Sequence, residues 1–351
     1  MEMILLEDCC DILDFMRVPI TSADRESGKY PYYGANGIQD YVAGYIFDDE
    51  LVLLAEDGGN FGSKNKPIAY RVSGKCWVNN HAHVLKPKKG LDVDYLCYSL
   101  MFYKIDGMVN GATRQKLTQS AMRKMFIPKR NIEEQRQIVD KLNMITEIKN
   151  KRKHQIEEID NLIKSRFVEM FGDPVQNPKG WEKKPFFNMG NCKNEMNFHY
   201  DDTGIEINCL GVGDFKDLVL IDDTKKLPII SLNEMPSEEY LLKDGDIVFV
   251  RSNGNKELVG RSLAVYPGDV PTTFSGFCIR YRKTDDAISV PYLLRVLKMN
   301  SMRQKMAGRG ANIQNLNQQI LGTLEIPIPP IELQNQFADF VTQTTKLKLA
   351  G

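Results

Sequence analysis

One segment of the chain occurs twice, and this duplication constrains the fold more than any other feature of the sequence. Residues 111–137 align without a gap to residues 310–336, at a constant offset of 199, and eleven of the 27 positions are identical. Chance would give about one or two identities at ordinary residue frequencies. The preceding parts, 30–90 and 200–285, share strand-like runs but few identical residues. The sequence therefore predicts two copies of one plan, each with its own variable globular part.

Each copy of the repeated segment has the same predicted order of elements. A turn at Gly111 or Gly310 is followed by a polar stretch and an apolar run. Ile-Pro then closes an edge strand, because proline has no N–H to donate to a neighbouring strand. A helix is expected just after it, with Glu133 or Glu332 in the first turn, where acidic side chains favour the helix dipole.

The first of these helices is predicted to be long. Residues 132–171 contain no proline and no glycine, and Gly172-Asp173-Pro174 ends the segment. At about 1.5 Å per residue, such a helix is a rod of roughly 60 Å. Apolar side chains recur at alternating spacings of four and three, a heptad pattern that predicts a helical partner. An amphipathic core helix of one compact domain is the alternative. The predicted seam comprises Ile138, Leu142, Ile145, Ile156, Ile159, Ile163 and Phe167.

The globular parts are predicted to be mixed α and β structure. Apolar runs at 51–55, 247–250 and 276–281 indicate strands, and helical patterns at 92–100 and 291–297 precede the two repeated segments. The predicted fold class is α+β, as two domains in tandem repeat. The expected boundaries are 1–130 and 172–329 for the globular domains, 131–171 for the long helix and 330–351 for a shorter second helix.

Composition places the chain among ordinary globular proteins. It has 351 residues, 42% hydrophobic and 26% charged, and this length predicts two domains. No apolar run reaches the roughly 18 residues of a membrane span, and the acidic N-terminal sequence is unlike a signal peptide. Seven scattered cysteines without a C-x-x-C pair argue against a zinc ribbon and a disulfide framework. A cytoplasmic location is therefore expected.

Charge is distributed unevenly along a chain with 46 basic and 46 acidic residues. The stretches 58–90, 107–132 and 287–324 contain basic residues and no acid, whereas acids are concentrated in 201–246. Segregated basic stretches can form a nucleic-acid-binding surface on a protein that is neutral overall. Solvated faces in no special arrangement are the alternative.

Motifs of several enzyme classes are missing from the sequence. There is no phosphate-binding loop, no Gly-x-Ser-x-Gly and no His-Glu-x-x-His. Pro329-Pro330 lacks the flanking residues of an amino-methyltransferase motif, and Gly211-Val212-Gly213 is only a fragment of a dinucleotide-binding loop. The sequence therefore predicts no catalytic residue and no cofactor in this chain.

Two patterns resemble metal sites weakly. Asp173 with Glu182-Lys183-Lys184 has the residue types of a nuclease site, but several prolines mark this region as a linker. His81 and His83 alternate as on one face of a strand, without a nearby cysteine or acid to complete a metal site. A structural or DNA-facing role is favoured for both histidines, and no metal site is predicted.

The duplicated Gly-Ala-x-x-Gln-x-Leu…Ile-Pro…Ile-Glu-x-Gln segment resembles the specificity subunit of type I restriction–modification systems. The end of the long helix at 165–174 and Asn177-Pro178-Lys179-Gly180-Trp181 after it are similar to the same family, as is the opening of the first variable part at 30–38. The resemblance covers the whole chain up to an early stop.

The resemblance implies a non-catalytic, sequence-specific DNA-binding subunit. Each variable part would be a target-recognition domain that reads one half of a bipartite site, and the two helices would pair antiparallel and fix the spacer. Two methyltransferase subunits would use S-adenosylmethionine to methylate adenine, and restriction subunits would use ATP and Mg²⁺ to cleave. The implied partners are double-stranded DNA and these subunits, with no membrane.

Candidate DNA contacts are donor and acceptor side chains within or beside predicted loops, because phosphates are bound by cations and base edges by hydrogen-bonding groups. The alternative for each is that it is an ordinary exposed loop residue. In the first domain they are Lys64, Asn65, Lys66, Asn79, Asn80, His81, Arg114, Gln115 and Lys116, and in the second Arg251, Ser252, Asn253, Asn255, Lys256, Arg261, Arg309 and Asn312.

The second helix departs from the family pattern. At the offset of 199, Gly351 corresponds to Arg152, so this helix is expected to reach only the middle of the first. In an antiparallel pair, Phe337 and Val341 should pack near Ile156, Ile159, Ile163 and Phe167, which leaves the first half of the seam for a second copy or a methyltransferase subunit. A silent truncated allele and a freestanding coiled-coil DNA-binding protein are the alternatives.

Overall fold

The computed structural model describes residues 2–111, 114–194, 203–215, 220–255, 257–307 and 315–349. The chain divides into two compact units, Met1–Arg152 and Lys153–Gly351. The boundary between them falls inside one continuous helix, so each unit contains one half of it. Arg280, Asp246 and other charged groups are buried within the units, but most buried side chains are apolar.

The first unit contains a six-stranded sheet with the order β2-β7-β5-β6-β3-β4 and two small two-stranded sheets, β1-β10 and β8-β9. Its strands are β1 (Met3–Leu5), β2 (Cys10–Ile12), β3 (Ser27–Gly34), β4 (Gly37–Val42), β5 (Phe47–Ala55), β6 (Ala69–Val78), β7 (Ala82–Pro87), β8 (Val109–Asn110), β9 (Lys116–Leu117) and β10 (Phe126–Pro128). Its helices are α1 (Leu6–Cys9), α2 (Val93–Met101), α3 (Gln119–Arg123) and the first part of α4 (Ile132–Phe171).

Strand β5 is the centre of the first unit because both of its faces are buried. Val52 and Leu54 belong to one apolar cluster, which includes residues of α2, and Leu51 and Leu53 belong to another on the opposite face. Successive side chains of a strand point to opposite faces, so an unbroken apolar run suits a strand that is covered on both sides.

The second unit has a similar arrangement, in which the sheets contain different numbers of strands. A five-stranded sheet has the order β12-β19-β16-β17-β14, a three-stranded sheet has the order β15-β13-β18, and β11 pairs with β20. The strands are β11 (Lys183–Pro185), β12 (Gly190–Asn194), β13 (Ile205–Leu210), β14 (Leu220–Ile221), β15 (Ile229–Leu232), β16 (Asp246–Val250), β17 (Ser262–Val265), β18 (Thr272–Phe274), β19 (Cys278–Lys283) and β20 (Glu325–Pro327). The helices after the shared α4 are α5 (Val290–Lys298), α6 (Asn300–Ala307), α7 (Gln318–Gly322) and α8 (Ile331–Leu349).

Strand β16 has the place that β5 has in the first unit. Ile247 and Phe249 belong to one apolar cluster, and Val248 and Val250 belong to a second cluster on the other face. The Ile-Pro segments also match, because β10 and β20 each pair antiparallel with the first strand of their unit, β1 or β11. The structural duplication therefore extends from the repeated segment into parts whose sequences differ.

The predicted α+β fold class and long helix are confirmed. Helix α4 runs without a break over Ile132–Phe171, and the strands and helices predicted for the globular parts are present within a few residues of the predicted bounds. The short helices α3 and α7 were not predicted; each begins after a side-chain cap, Thr118 or Asn317. Among the described residues, no helix is both long enough and apolar enough to span a membrane.

Candidate nucleic-acid interface

In the first unit, the predicted DNA-contacting turn is attached to the end of the central strand. The backbone N–H of Leu117 donates to the carbonyl of Glu56 at 2.7 Å, and the N–H of Gly58 donates to the carbonyl of Gln115 at 3.1 Å. Residues 114–116 therefore lie beside the start of the loop that follows β5. The N–H of Glu56 also donates to the carbonyl of His81 at 2.9 Å, so the predicted contact regions 79–81 and 114–116, which are far apart in sequence, meet at this strand end.

The two cations of this turn bind acidic side chains of the same unit. Nε of Arg114 lies 2.7 Å from Oδ1 of Asp57, and Nζ of Lys116 lies 3.1 Å from Oε1 of Glu56. Gln115 lies between them and is exposed. The arrangement orients both cations, and it also places an anion beside each, which reduces the net positive charge of the turn.

The other candidates of the first unit divide into exposed and buried residues. Lys64, Asn65, Lys66 and Asn80 are exposed on loops. Asn79, in contrast, is only 3% exposed. Its side chain donates to Oε1 of Gln39 at 3.0 Å and accepts from the N–H of His81 at 2.8 Å. Asn79 therefore shapes the loop from inside, an arrangement that the sequence did not predict.

The two histidines at the start of β7, His81 just before the strand and His83 on it, have different environments. Nδ1 of His81 lies 3.4 Å from Oδ2 of Asp57 at a partly exposed position. His83 is fully buried on β7, where Nδ1 lies 2.6 Å from Oδ2 of Asp14 and Nε2 lies 2.9 Å from the carbonyl of Leu117. Both partners of His83 offer acceptor oxygens, a carboxylate and a backbone carbonyl.

His83 belongs to a buried charge network beneath the turn. Arg17 bonds Oε2 of Glu56 at 2.5 Å, and Gln119 donates to Oδ2 of Asp14 at 2.9 Å. Burial raises the pKa of Asp14, but the hydrogen bonds and charge of its partners, His83 first, outweigh burial and hold this pKa below its usual value. The network joins β5, β7, β9 and α3, so it fixes the strand that precedes α3 against the sheet.

Asp14, Glu56 and His83 have the residue types of a metal site. One ligand atom from each lies within 4.8 Å of the others. However, Oε2 of Glu56 already binds Arg17, and Oδ2 of Asp14 already contacts Nδ1 of His83 and the side-chain amide of Gln119. The geometry therefore fits a charge network better than a metal centre. Asp14, Arg17 and Glu56 were not predicted from the sequence; the acid that directly follows the apolar run 51–55, Glu56, was the available signal.

The second unit has an equivalent attachment. The N–H of Leu316 donates to the carbonyl of Arg251 at 2.7 Å, as Leu117 does to Glu56 in the first unit, and Ser252 forms a β-bridge with Asn315. Leu316 is the counterpart of Leu117 at the offset of 199. Each repeated segment therefore bonds its own unit where the central strand ends and the candidate loop begins.

The loop of the second unit is a hairpin between β16 and β17. Backbone bonds connect Val250 with both Gly260 and Arg261 at its base, at 2.9 Å each. Oδ1 of Asn253 accepts from the N–H of Asn255 at 2.8 Å, which tightens the tip. Arg251, Ser252 and Asn253 are partly exposed and Asn255 is exposed. The candidates Lys256, Arg309 and Asn312 lie outside the described residues.

The predicted helix contact is present in the second unit at one end of the seam. The rings of Phe167 and Phe337 meet edge to face with centroids 5.4 Å apart, and Ile163 belongs to the same buried cluster. Ile159 and Val341 are partly buried against that cluster. Ile156 does not join it and is 36% exposed, so the expected packing reaches Ile159 but not Ile156.

The first half of the seam is more open. Within the first unit, Ile138 and Leu142 are partly buried and Ile145 is 60% exposed. Met144 and Ile148 beside them are 64% and 60% exposed. This part of α4 therefore presents an apolar surface on the first unit.

The model of one protein family matches most of this chain. The family model of the type I restriction modification DNA specificity domain matches residues 1–158 and 181–350. A type I restriction enzyme specificity subunit of Haemophilus influenzae is 39% identical over 141 residues, which are 40% of this chain and 36% of that protein. The StySPI specificity subunit of Salmonella potsdam is 24% identical over 322 residues, 84% of this chain and 67% of that protein. The match thus spans about a third of the first relative's length.

Solved structures share the fold at low sequence identity. A type I restriction–modification S subunit from M. genitalium has a TM-score of 0.55 and 14% identity, over 99% of this chain and 94% of that one. A chain from a study of complex assembly and conformational transition in the type I R-M system has a TM-score of 0.54 and 14% identity, over 99% and 91%. At this identity the likeness establishes the architecture alone.

Proposed function

Because the chain belongs to the type I restriction–modification DNA specificity family, we propose that it reads a bipartite DNA target, one half with each unit. The observation that carries the proposal is the repeated attachment of Leu117 to Glu56 and of Leu316 to Arg251. It places a polar, partly cationic loop at the same strand end of each unit. Two independent loops on two copies of one frame suit a target with two different halves.

The residues at these strand ends have the chemistry of base and phosphate contacts. Exposed Gln115 and Asn255 and partly exposed Asn253 have amide donors and acceptors, which suit base edges in the major groove. Arg114, Lys116 and Arg251 offer charge to phosphates. Arg114 and Lys116 already bind Asp57 and Glu56, and in this proposal these acids orient the two cations. A DNA phosphate would compete with the two carboxylates for the same donor groups.

The proposal assigns catalysis to other chains. Methyltransferase subunits with S-adenosylmethionine would methylate adenine, and restriction subunits with ATP and Mg²⁺ would cleave. The apolar first half of the α4 seam would be covered by a methyltransferase subunit or by a second copy of this chain. All seven cysteines are free thiols, which suits the reducing cytoplasm where this proposal places the chain.

The test is a methylome comparison. The chain and its cognate methyltransferase subunit are expressed together in a host that lacks both, and methylated adenines are mapped by sequencing. We expect a two-part, non-palindromic motif with this chain and none with either subunit alone. Methylation by the purified chain without a partner would contradict the proposal.

Variants in one hairpin test whether the units read separately. Arg251→Ala and Asn253→Ala should relax one half-site and leave the other unchanged, at about 1–3 kcal/mol for each lost bidentate base contact. Gln115→Ala is the matched variant in the first unit and should relax the opposite half. Equal effects of both sets on both halves would contradict the two-reader proposal.

A further inference from the structure

Four cations of the second unit converge beside the base of the 251–260 hairpin. Arg295 and Lys298 lie one turn apart on α5, and Arg303 follows on α6, which packs against α5. One guanidinium nitrogen of Arg303 donates to the carbonyls of Glu257 and Val259, at 3.3 and 3.1 Å. These bonds bring α6 to the part of the hairpin loop that leads through Arg261 into β17. We call Arg261, Arg295, Lys298 and Arg303 the cation cluster.

The cation cluster is partly buried, and the described residues that act on one another there carry more positive than negative charge. All four side chains are partly buried. Among the described residues, Asp160 on α4 is the acid that acts on Arg295 and Lys298. The partners of Arg303 are neutral carbonyls, and Nε of Arg295 is buried without a hydrogen-bond partner in the described part of the chain. The sequence around it, 287–324, contains no acid.

The mutual repulsion within the cluster is visible at Lys298. Burial lowers the pKa of Lys298 to about 8, and the charges of Arg295, Arg303 and Arg261 act in the same direction, whereas Asp160 opposes them. Burial also lowers the pKa of Arg295 and of Arg303. Like charges that are held close together are stabilised when an anion binds among them.

We propose that the cation cluster binds a phosphate group of the DNA backbone next to the half-site that the 251–260 hairpin reads. Guanidinium groups match the oxygens of a phosphate, and Lys298 adds a point charge. DNA is favoured over an acidic protein surface because Arg261 closes the hairpin itself, so a bound phosphate would set the register of that loop on the duplex. The identity of the anion as DNA rests on the proposed function; the anion site itself does not.

The first experiment measures anion binding without DNA. Thermal unfolding of the full chain is followed at pH 7 in sodium phosphate and in sodium chloride of equal ionic strength. We expect phosphate to raise the Tm of the parent and of Lys305→Gln, an exposed lysine on α6, by the same amount. Phosphate also raises Tm in general because it is excluded from protein surfaces. Arg303→Gln and Lys298→Gln should lose most of the rise in Tm beyond that general effect, and Lys298→Arg should keep it. Equal increments in all five proteins would overturn the site.

The second experiment identifies the source of the phosphate. Binding of the full chain to a fluorescent duplex of random sequence is measured by anisotropy at several salt concentrations. Arg303→Gln should reduce the slope of log K against log salt by about 0.9, the value for one lost phosphate contact. Lys305→Gln should keep the parent slope. Arg303→Gln decides both experiments where Lys298→Gln does not fold.

The two experiments separate the possible failures. If the variants lose the phosphate increment but keep the parent slope on DNA, the site binds another anion, such as an acidic surface of a partner protein, and the DNA assignment is overturned. If the parent binds no duplex in the presence of its methyltransferase subunit, the proposed function fails, while the phosphate increments still decide whether the anion site exists.

Discussion

Gln334 makes in the second unit the hydrogen bonds that Gln135 makes in the first. Each side-chain oxygen accepts from the N-cap N–H of the helix before the repeat, that of Asp92 for Gln135 at 2.7 Å and that of Ser289 for Gln334 at 2.8 Å. Each amide nitrogen donates to two backbone carbonyls. The two glutamines are 199 residues apart and are 2% and 0% exposed. They connect the start of α4 or α8 to the globular part before it.

Removing one of these glutamines should destabilise its own unit. Gln334→Ala leaves buried backbone groups without partners, at about 1–3 kcal/mol for each such group. We expect a lower urea midpoint for the second unit, followed by fluorescence of Trp181 in a Trp77→Phe background. The control is Gln137→Ala, an exposed glutamine of α4. A midpoint of Gln334→Ala equal to that of the control would show that the bonds are dispensable.

The charge network of Asp14 should make the first unit sensitive to acid. The pKa of Asp14 is depressed in the folded state, so its contribution to stability is full above the ordinary value near 3.9 and is lost as the pH falls through the folded-state pKa. Asp14→Asn removes the ionisable group and with it this pH-dependent contribution to stability. We expect its free energy of unfolding to depend less on pH than that of the parent below about pH 4, and a parallel pH dependence of the two proteins would count against the network.

Lys298 should give a dependence of the same sign, a stability that rises with pH, but at alkaline pH. Its pKa is about 8 in the folded chain and about 10.4 when unfolded, so the unfolded chain binds more protons in this window. The contribution of Lys298 to stability therefore rises between about pH 8 and 10. We expect the stability of the parent relative to Lys298→Met to increase from pH 7.5 to pH 9.5 in urea titrations. A constant difference would mean that Lys298 titrates normally.

The open part of the α4 seam should mediate association. Replacing Ile138, Leu142 and Ile145 with Ser should abolish binding to a methyltransferase subunit or to a second copy, measured by co-purification and sedimentation velocity. Circular dichroism should stay near that of the parent. The control replaces three polar residues of the same helix, Asp140, Lys141 and Glu147. Unchanged association of the seam variant would move the contact to another surface.

Helix α4 should set the distance between half-sites. Inserting four residues after Lys149 adds roughly 6 Å and rotates the following part by about 40°. We expect the methylome to show a changed spacer between two unchanged half-sites. The matched control is a four-residue insertion after Gly180 in the loop behind α4, which should leave the spacer as it is.

The parts of the fold that the sequence predicted are those set by local chemistry. Residues 132–171 lack helix breakers, and the apolar runs of β5 and β16 are followed by polar loops. A short stretch of sequence is therefore enough to predict a helix in the first case and a strand in the other two. The repeat predicted the duplicated frame. The strand order β2-β7-β5-β6-β3-β4 could not be predicted, because it depends on pairings between segments that are far apart in the chain.

The candidate site was predicted less completely for the same reason. Asp14 and His83 are 69 residues apart in sequence, and no local pattern links them. Asn79 has the residue type and position of a loop contact, yet Gln39 from another strand covers it. The cation cluster lay partly within an acid-free stretch that was recognised, but its convergence with Arg261 depends on the contact of α6 with the hairpin.

The continuity of α4 has a consequence for how a spacer of this kind could evolve. An α-helix advances about 1.5 Å and turns about 100° per residue, whereas B-DNA advances about 3.4 Å and turns about 34° per base pair. The helical repeats of protein and DNA do not match. A single residue added to the α-helix therefore changes the orientation of whatever follows it far more than the length of the helix. Insertions near a whole number of turns, about four or seven residues, disturb the orientation least. Spacer lengths that a helix of this kind sets should therefore change in discrete jumps rather than one base pair at a time.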